Sequence, residues 1–294
     1  MATGKRKRRW GDRRDGRLLR SLDPYTKIMP FIMKDKTGSS NYLEDTIDIT
    51  ELEKYLRGKS KDGFRGLGLL HFLIAAYVRT ASQYPAINRF VAGQRVYARN
   101  NIEFVIVIKR DLKLDSQETV MKLYFDHTDT IYDVYYKFNA EIQRVVGEQE
   151  DTSTDNIANL VARLPRLILK FFVRSLELMD YFGKLPQSIA QASPFHGSVI
   201  FTDVGSIGLP AIYHHLYNFG NLPIFISFGP KRRVNIIKDD GTVERRRHVD
   251  LKFVMDERIC DGFYFSQAYR FFKSVLKDPK SLEIPPKDVV EDIQ

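Results

Sequence analysis

The sequence predicts an α+β fold, in which strands and helices mix without the regular strand–helix alternation of a doubly wound sheet. Stretches in which polar and apolar residues alternate predict strands, and apolar residues at helical spacing predict helices between them. The 294 residues are 43% hydrophobic and 12% aromatic, which is enough to bury a sizeable core. The chain is therefore long enough for one large domain or two small ones.

The first half of the chain predicts four strands and two helices after an extended entry segment. Two prolines in "SLDPYTKIMPFIM" favour an extended backbone there. "SNYLEDTIDIT" predicts a strand, followed by a short helix that Thr50 caps and Gly58 ends. "LGLLHFLIAAYVRTASQYP" predicts a helix that stops at Pro85 and holds His71 as a core side chain. "QRVYARNNIEFVIVIKRDL" then predicts two strands across a turn, and "ETVMKLYFD" predicts another strand.

The second half predicts a strand-rich region between amphipathic helices. "TIYDVYYKFNAEIQRVV" predicts a helix with Thr130 near its cap. "GSVIFTDVGSIGL", "LPIFISFG" and "RRVNIIKDDGTVERRRHVDLKFVMD" predict strands, the last with a hairpin turn at Asp239–Gly241. "YFSQAYRFFKSVLKDP" predicts a closing helix that ends before Pro279.

Charge and cysteine content bear on partners and location. The net charge is +9, and much of the excess lies in "KRKRRWGDRRDGR" near the N-terminus. Such an arm permits contact with anionic lipid or nucleic acid, but we expect a loosely docked terminus and no nucleic-acid function. The one cysteine, Cys260, allows no disulfide within the chain, which predicts a reducing, cytoplasmic setting. No secretory signal, membrane span, phosphate-binding glycine loop or metal-ligand cluster is found in the sequence.

Four stretches of the chain carry a family resemblance: "DTIDITELEKYL", "LHFLIAAYVRTASQYPAINRF", "SPFHGSVIFTDVGSIGL" and "DERICDGFYFSQAYRFFKSVLKDP". Together they resemble the catalytic domain of dihydrolipoyl acyltransferases, the core of 2-oxo-acid dehydrogenase complexes, whose fold chloramphenicol acetyltransferase shares. "DTIDITELEKYL" and "LHFLIAAYVRTASQYPAINRF" are similar to the first strand, first helix and long helix of that family. "SPFHGSVIFTDVGSIGL" is similar to its "FTxSNLGxxG" turn, and "DERICDGFYFSQAYRFFKSVLKDP" to its "DHRxxDG" loop and final helix. The resemblance covers about residues 22–279, without lipoyl or subunit-binding modules.

The resemblance implies a chloramphenicol-acetyltransferase-like mixed sheet with flanking helices, a homotrimer, and coenzyme A or a lipoyl group on a separate carrier as thioester substrate, without a metal. In that family the loop histidine is the general base, a hydroxyl on the "FTxSNLG" strand holds the oxyanion, and the aspartate and glycine of "DG" brace and turn the loop. Carried onto this chain, these roles fall to Glu257, Thr202, Asp261 and Gly262. Asp203 is the other position onto which the family serine could fall.

Glu257 stands where the family has its histidine, and this departure leaves two functions open. A reference glutamate has a pKa about two units below that of histidine, which adds about 3 kcal/mol to proton abstraction from a thiol. Burial in a closed channel raises a carboxylate pKa and recovers much of that cost. One reading is therefore an acyltransferase with Glu257 as base. The alternative is an inactive relative acting as a scaffold or acyl-group sensor, in which Glu257 pairs with a nearby cation.

These considerations divide the chain into a basic, flexible arm (1–21), an acyltransferase-like domain (22–280) with an apolar helical insertion at about 156–190, and a C-terminal tail (281–294). Within the insertion, residues 164–186 combine apolar residues over more than one helical face with spaced cations. A helix of this composition either packs in the folded trimer or its assembly, or lies peripherally at a membrane surface.

Overall fold

A computed structural model describes residues 7–109, 118–147 and 163–294 of the chain. Its strands are β1 (Gly16–Leu18), β2 (Ser40–Asp48), β3 (Arg89–Ala92), β4 (Arg95–Arg99), β5 (Ile102–Lys109), β6 (Glu118–Phe125), β7 (Val199–Asp203), β8 (Ile224–Phe228), β9 (Arg232–Ile237) and β10 (Val243–Asp256). Its α-helices are α1 (Pro24–Ile32), α2 (Thr50–Lys61), α3 (Leu69–Gln83), α4 (Ile131–Gly147), α5 (Arg166–Tyr181), α6 (Gln187–Ala192) and α7 (Gly262–Lys277). Short 3₁₀ turns follow at Pro85–Asn88, Gly205–Ile207 and Pro279–Glu283.

A seven-stranded mixed sheet forms the centre, in the order β2-β10-β8-β7-β5-β6, with β9 paired to β10. The β5–β7 and β7–β8 pairs are parallel, and the other pairs in this sheet are antiparallel. A second, three-stranded sheet has the order β1-β4-β3. The mixture of parallel and antiparallel strands with helices confirms the predicted α+β class.

The main core lies between the large sheet and the helices α2, α3, α4 and α7. Helix α3 is buried along almost its whole length, so it needs apolar residues on all sides. Tyr77 of α3 packs edge-on against Phe104 of β5 and Phe201 of β7. His71 is a core side chain as predicted; its Nδ1 accepts from the Gly68 amide, and burial lowers its pKa to about 4.

The sequence prediction was wrong at the entry segment, because residues 24–32 form a helix instead of an extended chain. Asp23 caps α1 by accepting a hydrogen bond from the Thr26 amide at 3.0 Å. Pro24 stands at the first helical position, where its fixed φ suits a helix and its missing amide hydrogen costs nothing. Pro30 lies inside the helix within its last turn, so it breaks few hydrogen bonds there.

The end of one helix and the pairing of two strands also differ from the prediction. Helix α2 does not end at Gly58 but continues to Lys61, and Thr50 is its first helical residue, with its hydroxyl bonded to Asp48. Strands β4 and β5 are consecutive but do not form a hairpin. Strand β4 pairs with β1 and β3, whereas β5 joins the large sheet beside β6 and β7.

Both described chain ends pack against the domain. Strand β1 lies within the range assigned to the basic arm, and Leu19 is buried. At the other end, the Asp292 carboxylate pairs with Arg89, and the Gln294 carbonyl accepts from the Arg20 amide. Residues 1–6 and 148–162, which include parts of the predicted arm and insertion, lie outside the described residues. The proposed domain boundaries stay predictions.

Candidate active site

The loop after β10 is held by one buried ion pair, between Asp256 and Arg258, the two residues that flank Glu257. The Asp256 carboxylate accepts from Arg258 Nε at 2.8 Å and from Nη2 at 2.7 Å, a bidentate arrangement. The Ser39 hydroxyl also donates to Asp256 at 3.1 Å, and Arg258 Nη1 donates to the Met33 carbonyl at 3.0 Å. The two charged side chains are 1% and 5% exposed, so this pair fixes the loop to the segments that precede β2.

Glu257, between these two residues, is exposed. Its amide donates to the Ser39 carbonyl at 2.8 Å, which fixes the backbone. Within the described part of the chain its carboxylate makes no ion pair or hydrogen bond, so the predicted pairing with a cation is not seen within one subunit. The carboxylate is therefore free to meet a group supplied from outside the chain.

Asp261 and Gly262 begin helix α7. Asp261 is the N-cap, and its carboxylate accepts from the Tyr264 amide at 2.7 Å. Gly262 has no positive φ, and a Cβ there would meet no atom within 4 Å. Neither backbone conformation nor packing within one subunit requires glycine at this position. The open space beside it leaves room for a ligand or a neighbouring chain.

Thr202 is half-buried near the end of β7, and its hydroxyl makes no hydrogen bond within the described residues. Asp203, the other position onto which the family serine could fall, is already used locally. Its carboxylate accepts from the Ser206 amide at 2.9 Å, and burial raises its pKa. The hydroxyl of Thr202 is thus the better placed of the two to donate to an added group.

Thr202 and Glu257 lie far apart within one chain. In the sheet register, Thr202 is level with Ser227 of β8 and hence with Lys252 of β10. Glu257 follows Lys252 by five residues, so the offset along the strands is about 16 Å, and two strand spacings add about 10 Å across the sheet. The separation is about 19 Å. One subunit therefore does not bring these predicted site residues together.

An apolar crevice of about 290 Å³ opens beside the Glu257 loop. It lies between the start of β2, the end of β10 and the first turns of α7, next to Gly262. Its lining is mainly apolar and aromatic: Tyr42, Leu43, Phe253, Met255, Phe265 and Tyr269. Such a surface suits an apolar group, and its residues left no distinct signal in the sequence because they also follow strand and helix periodicity.

The structure also contains a polar cavity and a buried lysine that the sequence did not single out. A cavity of about 120 Å³ is lined by buried Arg99 and by half-buried Glu103 and Lys122, among others. Lys36 is also buried, and its ammonium donates to the carbonyls of Tyr217 and Gly220. Burial lowers the pKa of both lysines to about 8. These groups come from distant segments, so no local motif could have predicted them.

Neither His196 nor His248 is placed to replace the missing base. His196 is buried, with Nδ1 2.8 Å from the Ser193 hydroxyl and Nε2 3.4 Å from Asp180. Burial lowers its pKa, which favours the neutral ring. His248 lies opposite Asp48 of β2, eight residues before the end of β10, which is about 27 Å along the strand. In the described residues no group of acidic, histidine and cysteine side chains could hold a metal, and no helix is long and apolar enough to cross a membrane.

Comparison with known proteins finds similarity in structure only. No family model matches the chain, and no curated protein matches it in sequence. A probable dihydrolipoamide acetyltransferase from Listeria monocytogenes is 18% identical, with a TM-score of 0.55 over 88% of this chain and 94% of that chain. A truncated catalytic core of the 2-oxoacid dehydrogenase complex from Thermoplasma acidophilum is 15% identical, with a TM-score of 0.54 over 90% and 99%.

A chloramphenicol acetyltransferase matches with 12% identity and a TM-score of 0.51, over 89% of this chain and 99% of that chain. All three matches cover nearly the whole of both molecules; by name, two of the proteins are acetyltransferases and the third is a catalytic core of a 2-oxoacid dehydrogenase complex. At these identities the comparison establishes the fold. The chain has the chloramphenicol-acetyltransferase-like fold of the 2-oxo-acid dehydrogenase acyltransferase catalytic domain.

Proposed function

We propose that this protein is an acyltransferase that binds an acyl thioester of coenzyme A, or of a lipoyl group on a separate carrier, in a channel between subunits of a homotrimer. Glu257 serves as the general base in place of histidine. The observation that carries the proposal is the loop itself. The buried Asp256–Arg258 pair flanks a carboxylate in the position of the family's base, and this carboxylate is exposed and makes no ion pair or hydrogen bond with the residues that the structure describes.

The separation of Thr202 and Glu257 supports the shared channel. Residues about 19 Å apart cannot act on one carbonyl group. A second copy whose β7 end lies against the first copy's Glu257 loop would place both groups at one site. The acyl group would then lie in the apolar crevice beside Gly262.

The reaction follows from these placements. Glu257 takes the proton from the acceptor thiol, and the thiolate sulfur attacks the carbonyl carbon of the bound thioester. The hydroxyl of Thr202 from the neighbouring copy donates to the oxyanion. The original carbon–sulfur bond then breaks, and Glu257 returns the proton to the departing thiolate. One thioester and one thiol enter, and one thioester and one thiol leave.

The neighbouring subunit has a second role in this proposal. Glu257 is exposed in the single chain, and a carboxylate surrounded by water is a weak base toward a thiol. Closing a channel over the carboxylate removes water and disfavours its charged form. Assembly therefore makes Glu257 a stronger base at the same time as it supplies the hydroxyl.

Transfer of the acetyl group from acetyl-coenzyme A to dihydrolipoamide, followed by mass spectrometry, tests the proposal. We expect Glu257→Gln to fall to the uncatalysed rate and Glu257→His to keep or raise the rate, by up to about a hundredfold. Glu51→Gln, an exposed glutamate on α2, is the matched control and should leave the rate unchanged. Equal, nonzero rates in the wild type and Glu257→Gln would exclude Glu257 as the base.

The same experiment separates the second candidate, an inactive scaffold or acyl-group sensor, which the loss of histidine favours. In that case the wild type and Glu257→Gln both remain at the uncatalysed rate while coenzyme A still binds in a calorimetric titration. Sedimentation velocity tests the assembly in both cases. A stable monomer at micromolar concentration would contradict the inter-subunit channel.

A further inference from the structure

Helix α5 carries an apolar face that no described residue covers. Leu167, Phe171 and Leu178 are four and seven residues apart, so they share one side of the helix. Leu167 is 80% exposed and Phe171 is 76% exposed, and Phe182, just past the helix end, continues the exposed row. Within the described residues this face does not pack on the chain's own sheet.

A basic row borders this apolar face. Arg166, Lys170 and Arg174 are spaced by four residues and lie on the neighbouring side of the helix. Arg174 pairs with Glu177 at 2.8 Å within the helix. Arg166 and Lys170 make no ion pair or hydrogen bond through their side chains within the described part of the chain. The remaining side of α5, with Leu169, Val173 and Leu176, is partly covered, and Asp180 is buried.

A buried ion pair joins the N-terminal basic arm to the end of this helix. Arg13 pairs with Asp15 at 3.0 Å and with Asp180, the next-to-last residue of α5. Burial acts to raise the pKa of Asp180, but His196 and the charge of Arg13 outweigh it and lower that pKa to about 2. The carboxylate is therefore ionised at neutral pH, and the arm is fixed to α5 by a charge pair.

This attachment brings an exposed tryptophan to the same region. Trp10 is 90% exposed and is the only tryptophan in the sequence. It precedes Arg13 by three residues, a reach of at most about 11 Å. Arg8, Arg9 and Arg14 are exposed around it. Two features that are remote in sequence, the basic arm and the apolar helix, thus meet at the C-terminal end of α5.

We propose that α5 and the basic arm form one docking surface for an anionic lipid bilayer. The apolar row enters the acyl-chain boundary, Arg166, Lys170 and Arg174 reach lipid phosphates beside it, and Trp10 lies at the headgroup level. Charge complementarity selects this occupant. An anionic bilayer offers an apolar layer and a dense plane of negative charge together, whereas a second copy of this chain, with a net charge of +9, adds further positive charge.

Vesicle co-sedimentation with the full-length protein tests the surface. The wild type should bind phosphatidylcholine vesicles containing phosphatidylserine, bind pure phosphatidylcholine at least tenfold more weakly, and lose affinity as salt increases. Phe171→Glu should remain folded, because the side chain is exposed, and should weaken binding by more than tenfold. Lys170→Glu should weaken binding at low salt by roughly fivefold or more. Phe31→Glu, which alters an exposed phenylalanine on α1, is the matched control and should bind within twofold of the wild type.

Trp10 gives a second measurement that does not depend on sedimentation. Its emission should shift to shorter wavelength when phosphatidylserine vesicles are added, and the shift should be lost in Phe171→Glu. Two results would overturn the proposal. One is a wild type that ignores anionic vesicles at low salt. The other is a Phe171→Glu variant that binds vesicles normally but sediments as a smaller species, which would assign this face to a contact between copies of the chain.

Discussion

Replacing Arg258 with methionine tests whether the loop around Glu257 is held as the structure indicates. Methionine keeps much of the volume but removes the guanidinium that donates twice to Asp256 and once to the Met33 carbonyl. Asp256 would keep only the Ser39 hydroxyl and the residue 258 amide, at 3.1 Å each, as hydrogen-bond donors. Removing one partner of a buried pair typically costs about 3–5 kcal/mol, because the remaining charge stays out of water. We expect Arg258→Met to lower the free energy of unfolding by that amount.

Urea unfolding at pH 7 measures this loss, provided that the slope of the free energy of unfolding against urea concentration is the same in both proteins. Lys54→Met is the control, because Lys54 pairs with Glu51 at the exposed surface of α2 and should cost less than about 0.5 kcal/mol. Adding Asp256→Leu to Arg258→Met should recover part of the loss, since no unpaired buried charge remains. A loss below about 1 kcal/mol in Arg258→Met would refute the reasoning, because it would mean that Asp256 is solvated in solution.

Two further stability predictions follow from the caps and charges. Asp261→Ala should lower the free energy of unfolding by about 1 kcal/mol through loss of the α7 cap, whereas Asp261→Asn should change it little; equal losses in urea unfolding would contradict capping. The folded-state pKa of Asp180 is lowered to about 2, below its unfolded value of about 3.9. Its contribution to the free energy of unfolding is therefore complete above about pH 4 and disappears as the pH falls through about 2. That contribution is about 2–3 kcal/mol. The unfolding temperatures of the wild type and Asp180→Asn should therefore converge as the pH is lowered from 5 to 2. A difference that stays constant over this range would contradict the pairing.

The sequence predicted much of the fold because most elements carry their own periodicity. Helix α3 and the long hairpin of β9 and β10 have strong local patterns, and the structure confirms both. The entry helix α1 was missed because its two prolines were read as favouring an extended backbone, whereas Asp23 and Pro24 begin a helix there. The pairing of β4 was missed for another reason. Its partners are set by side chains such as Phe90 and Tyr97, which stack in the small sheet, and contiguity along the chain does not reveal such partners.

The candidate site was predicted only where a short motif marks it. The D-x-R-x-x-D-G frame located the Glu257 loop, and the structure adds what the frame does: Asp256 and Arg258 pair with each other, and Asp261 caps a helix. Lys36 and Lys122 had no local signal, because their buried settings arise from segments that are far apart in sequence. The contact between the basic arm and α5 could not be predicted either, because the ion pair that makes it joins residues 13 and 180, which are far apart in sequence.

The energetics of the loop bear on the choice between enzyme and scaffold. A buried ion pair contributes little more to stability than well-packed apolar residues of the same volume, because both charges lose water. What the Asp256–Arg258 pair supplies is geometry: its bidentate contact holds the backbone on both sides of the residue between the two charges. That residue is an exposed carboxylate without a partner in the described part of the chain. A surface glutamate in a scaffold does not need such a support, whereas a base must be held within hydrogen-bond reach of its proton. The arrangement therefore favours acyl transfer by Glu257 over a purely structural role, and the comparison of Glu257→Gln with Glu257→His is the measurement that decides between them.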